Sequence, residues 1–282
     1  MLLESEDLPF WKMHGSGNDF IIIDNRCGIF PEKGRSQLVS RLCRRATGIG
    51  ADGLILIEDN HFVDFLWHFY NADGSEAEMC GNGGRCAARF AYLKGIADAD
   101  MVFQTLAGLI RAQVDRTQVR LEMTTPFGLR QGVELDFAGE REKVDFIDSG
   151  VPHTVVMVDH ELDLVALSER GARIRYHQEF APSGTNVNFF EVVNEQCLSI
   201  RTYERGVEGE TLACGTGAVA VALLASEHGL VNSPTEVITQ AGESLMVYYK
   251  KEGPAFKEIF LEGGAVIVYK GALESDFLQT GQ

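Results

Sequence analysis

The feature that most constrains this chain is a pattern that occurs twice, once in each half. It reads Cys80-Gly-Asn-Gly-Gly-Arg-Cys-Ala-Ala-Arg-Phe-Ala-Tyr-Leu-Lys-Gly95 and then Cys214-Gly-Thr-Gly-Ala-Val-Ala-Val-Ala-Leu-Leu-Ala-Ser-Glu-His-Gly229. Each copy opens on Cys-Gly-x-Gly, carries Ala88 or Ala222 at the matching place, and closes on a glycine. A glycine-rich turn entering an alanine-rich run predicts a helix over about Gly83 to Lys94 and again over Gly217 to Glu227, each with a glycine C-cap. A chain of 282 residues built around such a repeat is expected to fold as two related domains.

The turn explains the cysteine. The first amides of a helix have no intrahelical partner and carry the positive end of its dipole, so they attract anions and favour a thiolate. Glycines behind the cysteine let the backbone approach a ligand closely. A thiol with an ordinary pKa of about 8.5 becomes a working base near neutral pH at such a terminus. Two of them, Cys80 and Cys214, facing each other across one substrate, supply one base and one acid. Their natural work is to take a proton from one face of a carbon and return one to the other face, which is racemisation or epimerisation. Structural zinc is disfavoured, because neither Cys80 nor Cys86 has the usual close spacing to another Cys or His. A phosphate cradle is also disfavoured, because Gly81, Gly83 and Gly84 lack the lysine and hydroxyl residue of a P-loop.

A net charge of −16 argues against nucleic acid or an anionic membrane as partner, since either needs a basic patch. The segment from Met1 to Phe10 carries Glu4, Glu6 and Asp7 with no positive region, and the longest apolar run, Ala218 to Ala225, is too short to span a bilayer. Six cysteines are too few for a disulfide scaffold, and a thiol pair needs a reducing compartment. The expectation is a soluble, cytoplasmic protein.

Short β-branched runs bounded by Gly, Pro, Asn and Asp predict strands. In the first half they are Asp19 to Asp24, Leu54 to Glu58, Val63 to Tyr70, Val102 to Thr105, Ile110 to Val114 and Val119 to Glu122. The second half has Lys143 to Asp148, Thr154 to Val158, Asn186 to Val193, Cys197 to Tyr203, Glu236 to Thr239, Ser244 to Lys250 and Glu258 to Glu262. Helices are also expected over Ser36 to Arg45 and Leu162 to Arg170. Alanine and valine all around the second repeat helix argue for its burial inside a shell of strands. The fold class expected is α+β, with two pseudo-symmetric domains, each a β-barrel-like sheet wrapped around a central helix. The boundary is placed near Thr124-Thr-Pro-Phe127, with the last strand, Val266 to Tyr269, returning to the first domain. The N-terminal domain is then 1–125 with 267–282, and the C-terminal domain 126–266.

With these residues in view, the sequence resembles the diaminopimelate epimerase family. The likeness runs from Met13-His-Gly-Ser-Gly-Asn-Asp-Phe20 through Asn71-Ala-Asp-Gly-Ser75 and the Cys80 turn to Tyr203-Glu-Arg-Gly206 and the Cys214 turn. The resemblance implies interconversion of LL- and meso-diaminopimelate without pyridoxal phosphate or metal, by a homodimer, in lysine and cell-wall precursor supply. It implies Cys80 and Cys214 as the two-base pair. Gly81, Asn82, Gly215 and Thr216 would present backbone amides to the carboxylate at the reacting carbon. Asn18, Asn71, Asn186 and the Glu204-Arg205 pair would hold the distal amino-acid end, with Arg205 suited to a carboxylate and Glu204 to an ammonium. His153 and Glu204 match positions that tune the thiol pKa values, and Tyr269 one linked with dimer contacts.

The residues also admit plainer readings. Asn71 and Asn186 suit turns, His153 suits a satisfied core position, and Glu204-Arg205 suits a solvated ion pair. Asn18 follows Gly15-x-Gly17, but a strand rather than a helix comes next, so a dinucleotide loop is not indicated. Two positions depart from some family members: Gly53 stands where they carry glutamine, and Val151 where they carry asparagine before Pro-His. The loop Arg205-Gly-Val-Glu-Gly-Glu210 is one residue longer. Competing functions are a proline or hydroxyproline racemase-like enzyme, a non-catalytic amino-acid-binding protein, and a thiol redox protein in which two facing cysteines oxidise.

Overall fold

The computed structural model describes residues 8–159 and 162–279. The chain forms two units: one runs up to Leu121 and resumes at Gly263, and the other is Glu122–Glu262.

In the first unit the order is β1 (Leu8–Gly15), β2 (Asn18–Asp24), α1 (Arg35–Cys43), β3 (Gly53–Glu58), β4 (Phe65–Asn71), β5 (Glu76–Ala77), α2 (Gly81–Leu93), β6 (Asp100–Thr105), β7 (Gly108–Asp115) and β8 (Gln118–Glu122). The chain continues with β9 (Phe127–Phe137), β10 (Glu140–Asp148), β11 (Pro152–Met157), α3 (Leu167–Arg175), β12 (Asn186–Asn194), β13 (Cys197–Glu204), β14 (Gly209–Thr211), α4 (Gly215–Glu227), β15 (Thr235–Ile238), β16 (Ser244–Glu252) and β17 (Ala255–Gly264). Strand β18 (Val266–Leu273) follows and pairs antiparallel with β1.

The two units share one topology. From β1 to β8 the pairs are β1–β2, β3–β4, β4–β5, β6–β7 and β7–β8 antiparallel, with β2–β3 and β4–β6 parallel. From β10 onward the same sequence recurs: β10–β11, β12–β13, β13–β14, β15–β16 and β16–β17 antiparallel, with β11–β12 and β13–β15 parallel. Helices α1 and α3 cross over the first parallel pair, and α2 and α4 over the second. Strand β9 flanks β10 as β18 flanks β1. The α+β class with two pseudo-symmetric halves is thus written in the strand order.

Why the strands read as continuous apolar runs follows from what lies on each side. Successive strand residues point to opposite faces. Phe20, Ile22, Ile55 and Ile57 meet Cys86, Ala87, Ala88, Phe90 and Ala91 of α2, while Ile21, Ile23, Leu54 and Leu56 meet Leu38, Val39 and Leu42 of α1. In the second unit Val155, Phe190, Leu198 and Ile200 pack with α4, while Val156, Val187, Phe189 and Tyr203 pack with Leu167 and Ile174 of α3. Sheets covered on both faces have no solvent side to mark with polar residues. Helix α4 is buried from Gly217 to Ala225 without a break, which accounts for a sequence apolar around its whole circumference.

Among the elements that differ from the sequence expectation, three have a clear physical reason. The helix placed at Leu162 to Arg170 is a single 3₁₀ turn, Leu162–Leu164, followed by α3 over Leu167–Arg175, whose buried face is Leu167, Gly171 and Ile174. Strand β1 was not expected, because a buried lysine, Lys12, breaks its apolar pattern by pairing with Asp19 and the Gly50 carbonyl. Strand β9 was not expected either: Phe127, Leu129, Val133, Leu135 and Phe137 alternate along it, but Gly128, Gln131 and Gly132 break the run and most of the strand is exposed.

Candidate active site

Cys80 and Cys214 occupy the same structural position. Each is the N-cap of its helix with extended backbone, at φ −144°, ψ 117° and φ −123°, ψ 110°. Each carbonyl accepts the first helical hydrogen bond, from Gly84 at 2.8 Å and from Ala218 at 2.9 Å. The far ends match too: Gly95 and Gly229 turn left-handed at φ 68° and 72°, and the amides of Ile96 and Leu230 reach back to Ala91 and Ala225 at 2.9 Å. The turn therefore places each sulfur where helix amides and dipole favour a thiolate. Both sulfurs belong to half-buried residues. Burial pushes the Cys43 and Cys86 thiols up to about 12, so these remain protonated packing groups.

The Cys80 turn rests on a polar chain. Gly83 N–H donates to Cys80 Sγ at 3.5 Å. The neighbouring Asn82 side chain is buried and accepts from Arg85 Nη2 at 2.7 Å, while its Nδ2 donates to Asn18 Oδ1 at 2.7 Å. Asn18 Nδ2 donates onward to Asp52 Oδ2 at 3.0 Å, and Asp52 also takes Arg45 Nη2 at 2.7 Å. Arg85 is fully buried and its Nη2 also donates to Ser16 Oγ at 2.7 Å. Ser16 and Gly17 both have positive φ, 51° and 88°, which is the tight hairpin turn that delivers Asn18 to the site. Gly15 lets the hairpin approach α2, since a Cβ there would lie 3.2 Å from the Asn82 carbonyl oxygen.

The Cys214 turn has different neighbours. Cys214 Sγ lies 3.6 Å from Thr216 Oγ1, and Thr216 Oγ1 lies 2.9 Å from His153 Nε2. His153 is completely buried; burial pushes it down to about 3, and the Arg205 charge adds to the effect, so the ring is neutral. It therefore reaches Cys214 through the Thr216 hydroxyl rather than as an imidazolium beside the sulfur. Ser149 Oγ donates to the Thr216 carbonyl at 2.9 Å. Asn186 Nδ2 donates to the Pro152 carbonyl at 3.1 Å and its Oδ1 accepts from the Arg205 amide at 2.9 Å, which ties β11 to the end of β13. Burial raises the half-buried Glu204 carboxyl above its ordinary value.

Other expected positions are placed as follows. Asn71 is exposed at the end of β4, where its Nδ2 donates to Ser75 Oγ at 3.0 Å. Gly53 has no room for a side chain, because a Cβ would lie 2.6 Å from both the Phe69 ring and the Tyr70 carbonyl. Val151 sits in the turn closed by Ser149 N–H to its carbonyl at 3.2 Å. The long loop after Arg205 is braced by Glu208, which pairs with Arg175 at 3.1 Å. Tyr269 packs edge-on against Phe10, with ring centroids 6.0 Å apart. Among the described residues no group of three or more His, Cys, Asp or Glu side chains is placed to hold a metal.

Sequence reasoning missed Ser16, Asp52, Arg85, Ser149 and Asn188. Two of them carried a signal: Arg85 is one helical turn after Asn82, and Asn188 shares a strand face with Asn186.

The diaminopimelate epimerase family model matches residues 10–127 and 146–268. The chain is similar to the diaminopimelate epimerase of Aquifex aeolicus, at 46% identity over 96% of this chain and 100% of that one. It is also similar to that of Archaeoglobus fulgidus, at 39% over 96% of this chain and 98% of that one. Among solved structures, a phenazine biosynthesis protein of the PhzF family from Bacillus anthracis matches 96% of this chain and 100% of its own with TM-score 0.71 and 15% identity. A probable proline racemase from Agrobacterium radiobacter K84 matches 97% and 94% with TM-score 0.66 and 17% identity. These two likenesses are of fold.

Proposed function

The chain belongs to the diaminopimelate epimerase family, and from that premise we propose that it interconverts LL- and meso-2,6-diaminopimelate with Cys80 and Cys214 as the proton-carrying pair. The observation that carries these roles is the common placing of both sulfurs at a helix N-cap, one in each unit. One sulfur, as thiolate, takes the α-hydrogen, and the electron pair of that C–H bond spreads into the attached carboxylate. The other sulfur, as thiol, gives its proton to the opposite face. The carbon is inverted, and one proton has moved from one sulfur to the other. First-turn amides of Gly81, Asn82, Gly215 and Thr216 stabilise the charge that grows on the carboxylate.

The distal amino-acid end is assigned to Asn18, Asn71, Asn186, Glu204 and Arg205, with Arg205 taking the carboxylate through its planar fork. The reaction needs neither pyridoxal phosphate nor metal, because the thiols move the protons and the amides carry the charge. The setting proposed is a cytoplasmic homodimer. Exposed Val268 and half-exposed Tyr269 on β18 support a subunit contact there. A proline racemase reading is supported by fold alone, at 17% identity.

The test is proton exchange. Reduced protein is incubated with LL-diaminopimelate in heavy water, and α-deuterium and meso product are followed by NMR, beside Cys80→Ala, Cys214→Ala and a proline control. Deuterated meso product that disappears in both variants is the expected result. Exchange into proline instead would move the assignment to the racemases.

A further inference from the structure

We infer that Asn188, His153 and Thr216 form a one-way hydrogen-bond relay ending on Cys214 Sγ, in which Asn188 is a positioning residue that selects the His153 tautomer and Thr216 is the donor to the sulfur. The inference rests on the reading of Cys214 as a proton-carrying thiol.

The direction follows from what each atom can do. One end of the Asn188 side chain lies 3.1 Å from the Thr154 carbonyl, which only accepts, so that end is Nδ2. The other end, Oδ1, takes the Thr202 hydroxyl at 3.0 Å. The same Nδ2 lies 3.0 Å from His153 Nδ1. An amide NH₂ donates and cannot accept, so Nδ1 presents its lone pair and the ring hydrogen of neutral His153 is on Nε2. Nε2–H therefore donates to Thr216 Oγ1 at 2.9 Å. Having accepted there, the Thr216 hydroxyl directs its own hydrogen to Cys214 Sγ at 3.6 Å. Each donor polarises the next, and a hydroxyl donating to sulfur favours thiolate over thiol. The opposite tautomer would set N–H against N–H at Asn188 and turn the Thr216 hydrogen toward the ring, away from the sulfur.

Packing keeps the relay in place. Asn188, His153 and Thr202 are all buried. Gly217 provides the space beneath the turn, because a Cβ there would fall 2.4 Å from Asn188 Oδ1 and 3.3 Å from Cys214 Sγ. Among the charged groups of the flanking strands, Asp148 of β10 lies opposite Pro152, next to His153, and Glu204 ends β13 with Arg205 just after it. Of these, Arg205 acts on His153 by its charge and disfavours a second ring proton.

The test uses the whole chain. Nitrogen-15 NMR at neutral pH should show His153 with its hydrogen on Nε2; a hydrogen on Nδ1 would overturn the relay. Site-resolved alkylation of reduced protein against pH reads the thiolate fraction of each cysteine. Thr216→Val should move the Cys214 profile upward by about one pH unit and leave Cys80 where it is, with kcat falling about tenfold. Thr216→Ser, which keeps the hydroxyl, should restore both. Asn188→Ser, with folding checked by thermal melting, should lose the single-tautomer signature and shift Cys214 in the same direction. An unmoved Cys214 profile in Thr216→Val sinks the relay while Cys214→Ala inactivity keeps the two-thiol reading. An active Cys214→Ala sinks that reading, and the relay's role in catalysis with it, whatever the tautomer spectrum shows.

Discussion

Asn82 and Thr216 fill the same place in the two Cys-Gly-x-Gly turns, and their side chains serve different networks. Asn82 links Arg85 to Asn18, while Thr216 stands between His153 and Cys214. The backbone of the repeat is the same in both turns, down to the first helical bond and the closing glycine, and the side chains built on it differ. Cys80 receives a main-chain N–H from Gly83, and Cys214 faces a hydroxyl. Two sulfurs at equivalent helix ends are thus given different donors.

Arg85 is predicted to hold the first turn in order. It donates to buried Asn82 Oδ1 and buried Ser16 Oγ, and Arg85→Met would leave both acceptors without that donor. The expected loss in urea unfolding is about 2–4 kcal/mol, with a raised KM because the Asn82 and Asn18 amides lose their fixed orientation. Arg85→Lys should recover part of the stability and little of the KM, since an ammonium lacks the planar fork. A wild-type KM in Arg85→Lys would refute the orienting role.

Asp52 closes the same chain from the other end, as an acceptor-only group under Asn18 Nδ2. On the proposed role of Asn18 in holding the distal end of the substrate, Asp52→Asn allows Asn18 to turn over and present the wrong atom. KM is expected to rise about tenfold with a smaller change in kcat, the size of one hydrogen bond to a charged group. Steady-state kinetics on the single variants and on the double variant with Arg85→Met check this. The two should be non-additive if they orient one relay.

Two glycines of the repeat are predicted to answer alanine differently. A Cβ on Gly81 meets nothing within 4 Å, whereas one on Gly217 would press on Asn188 Oδ1 at 2.4 Å. Gly217→Ala should cost about 1–3 kcal/mol of stability and most of the activity, while Gly81→Ala should melt near the wild type. Equal melting temperatures for the two would contradict the close approach of Asn188.

Much of this was legible in the sequence because it depends on local pattern. The repeat gave both helices and their closing glycines, since capping is decided within a few residues. Each helix begins two residues earlier than expected, at Gly81 and Gly215, which makes the cysteines the N-caps. Strands β2, β3, β12 and β13 were legible because burial on both faces leaves an unbroken apolar run. Lys12 interrupts the alternation of β1, and Gly128, Gln131 and Gly132 interrupt that of β9, so two further strands emerge only from their pairing across the sheet. The polar chains were harder still. Asn188 reads as one more polar residue in a strand until the parallel pairing of β11 with β12 brings it against His153. Arg85 reads as a surface charge until the β1–β2 hairpin covers it.

His153 is predicted to set part of the acid sensitivity of the fold. Its ordinary value is 6.5, and burial with the Arg205 charge pushes it down to about 3. Because the folded value is the lower one, the unfolded chain binds this proton first, so stability rises with pH across the window between them. The contribution is complete above pH 6.5 and is lost as pH falls toward 3, amounting at full extent to roughly 5 kcal/mol. Asp19 adds little in the upper part of that window: burial pushes its carboxyl up, but Arg45 and Lys12 hold it at about 2, so its own loss falls between 3.8 and 2. Urea unfolding at pH 7, 6, 5 and 4 should therefore show wild type weakening steadily. His153→Gln, whose amide can still bridge Asn188 and Thr216, should show a slope smaller by about one proton. The same neutrality means that His153 puts no limb into the pH–rate profile between pH 5 and 8. An acid limb near 6.5 that disappears in His153→Gln would mean that the ring titrates in the folded protein and donates to Thr216 as an imidazolium.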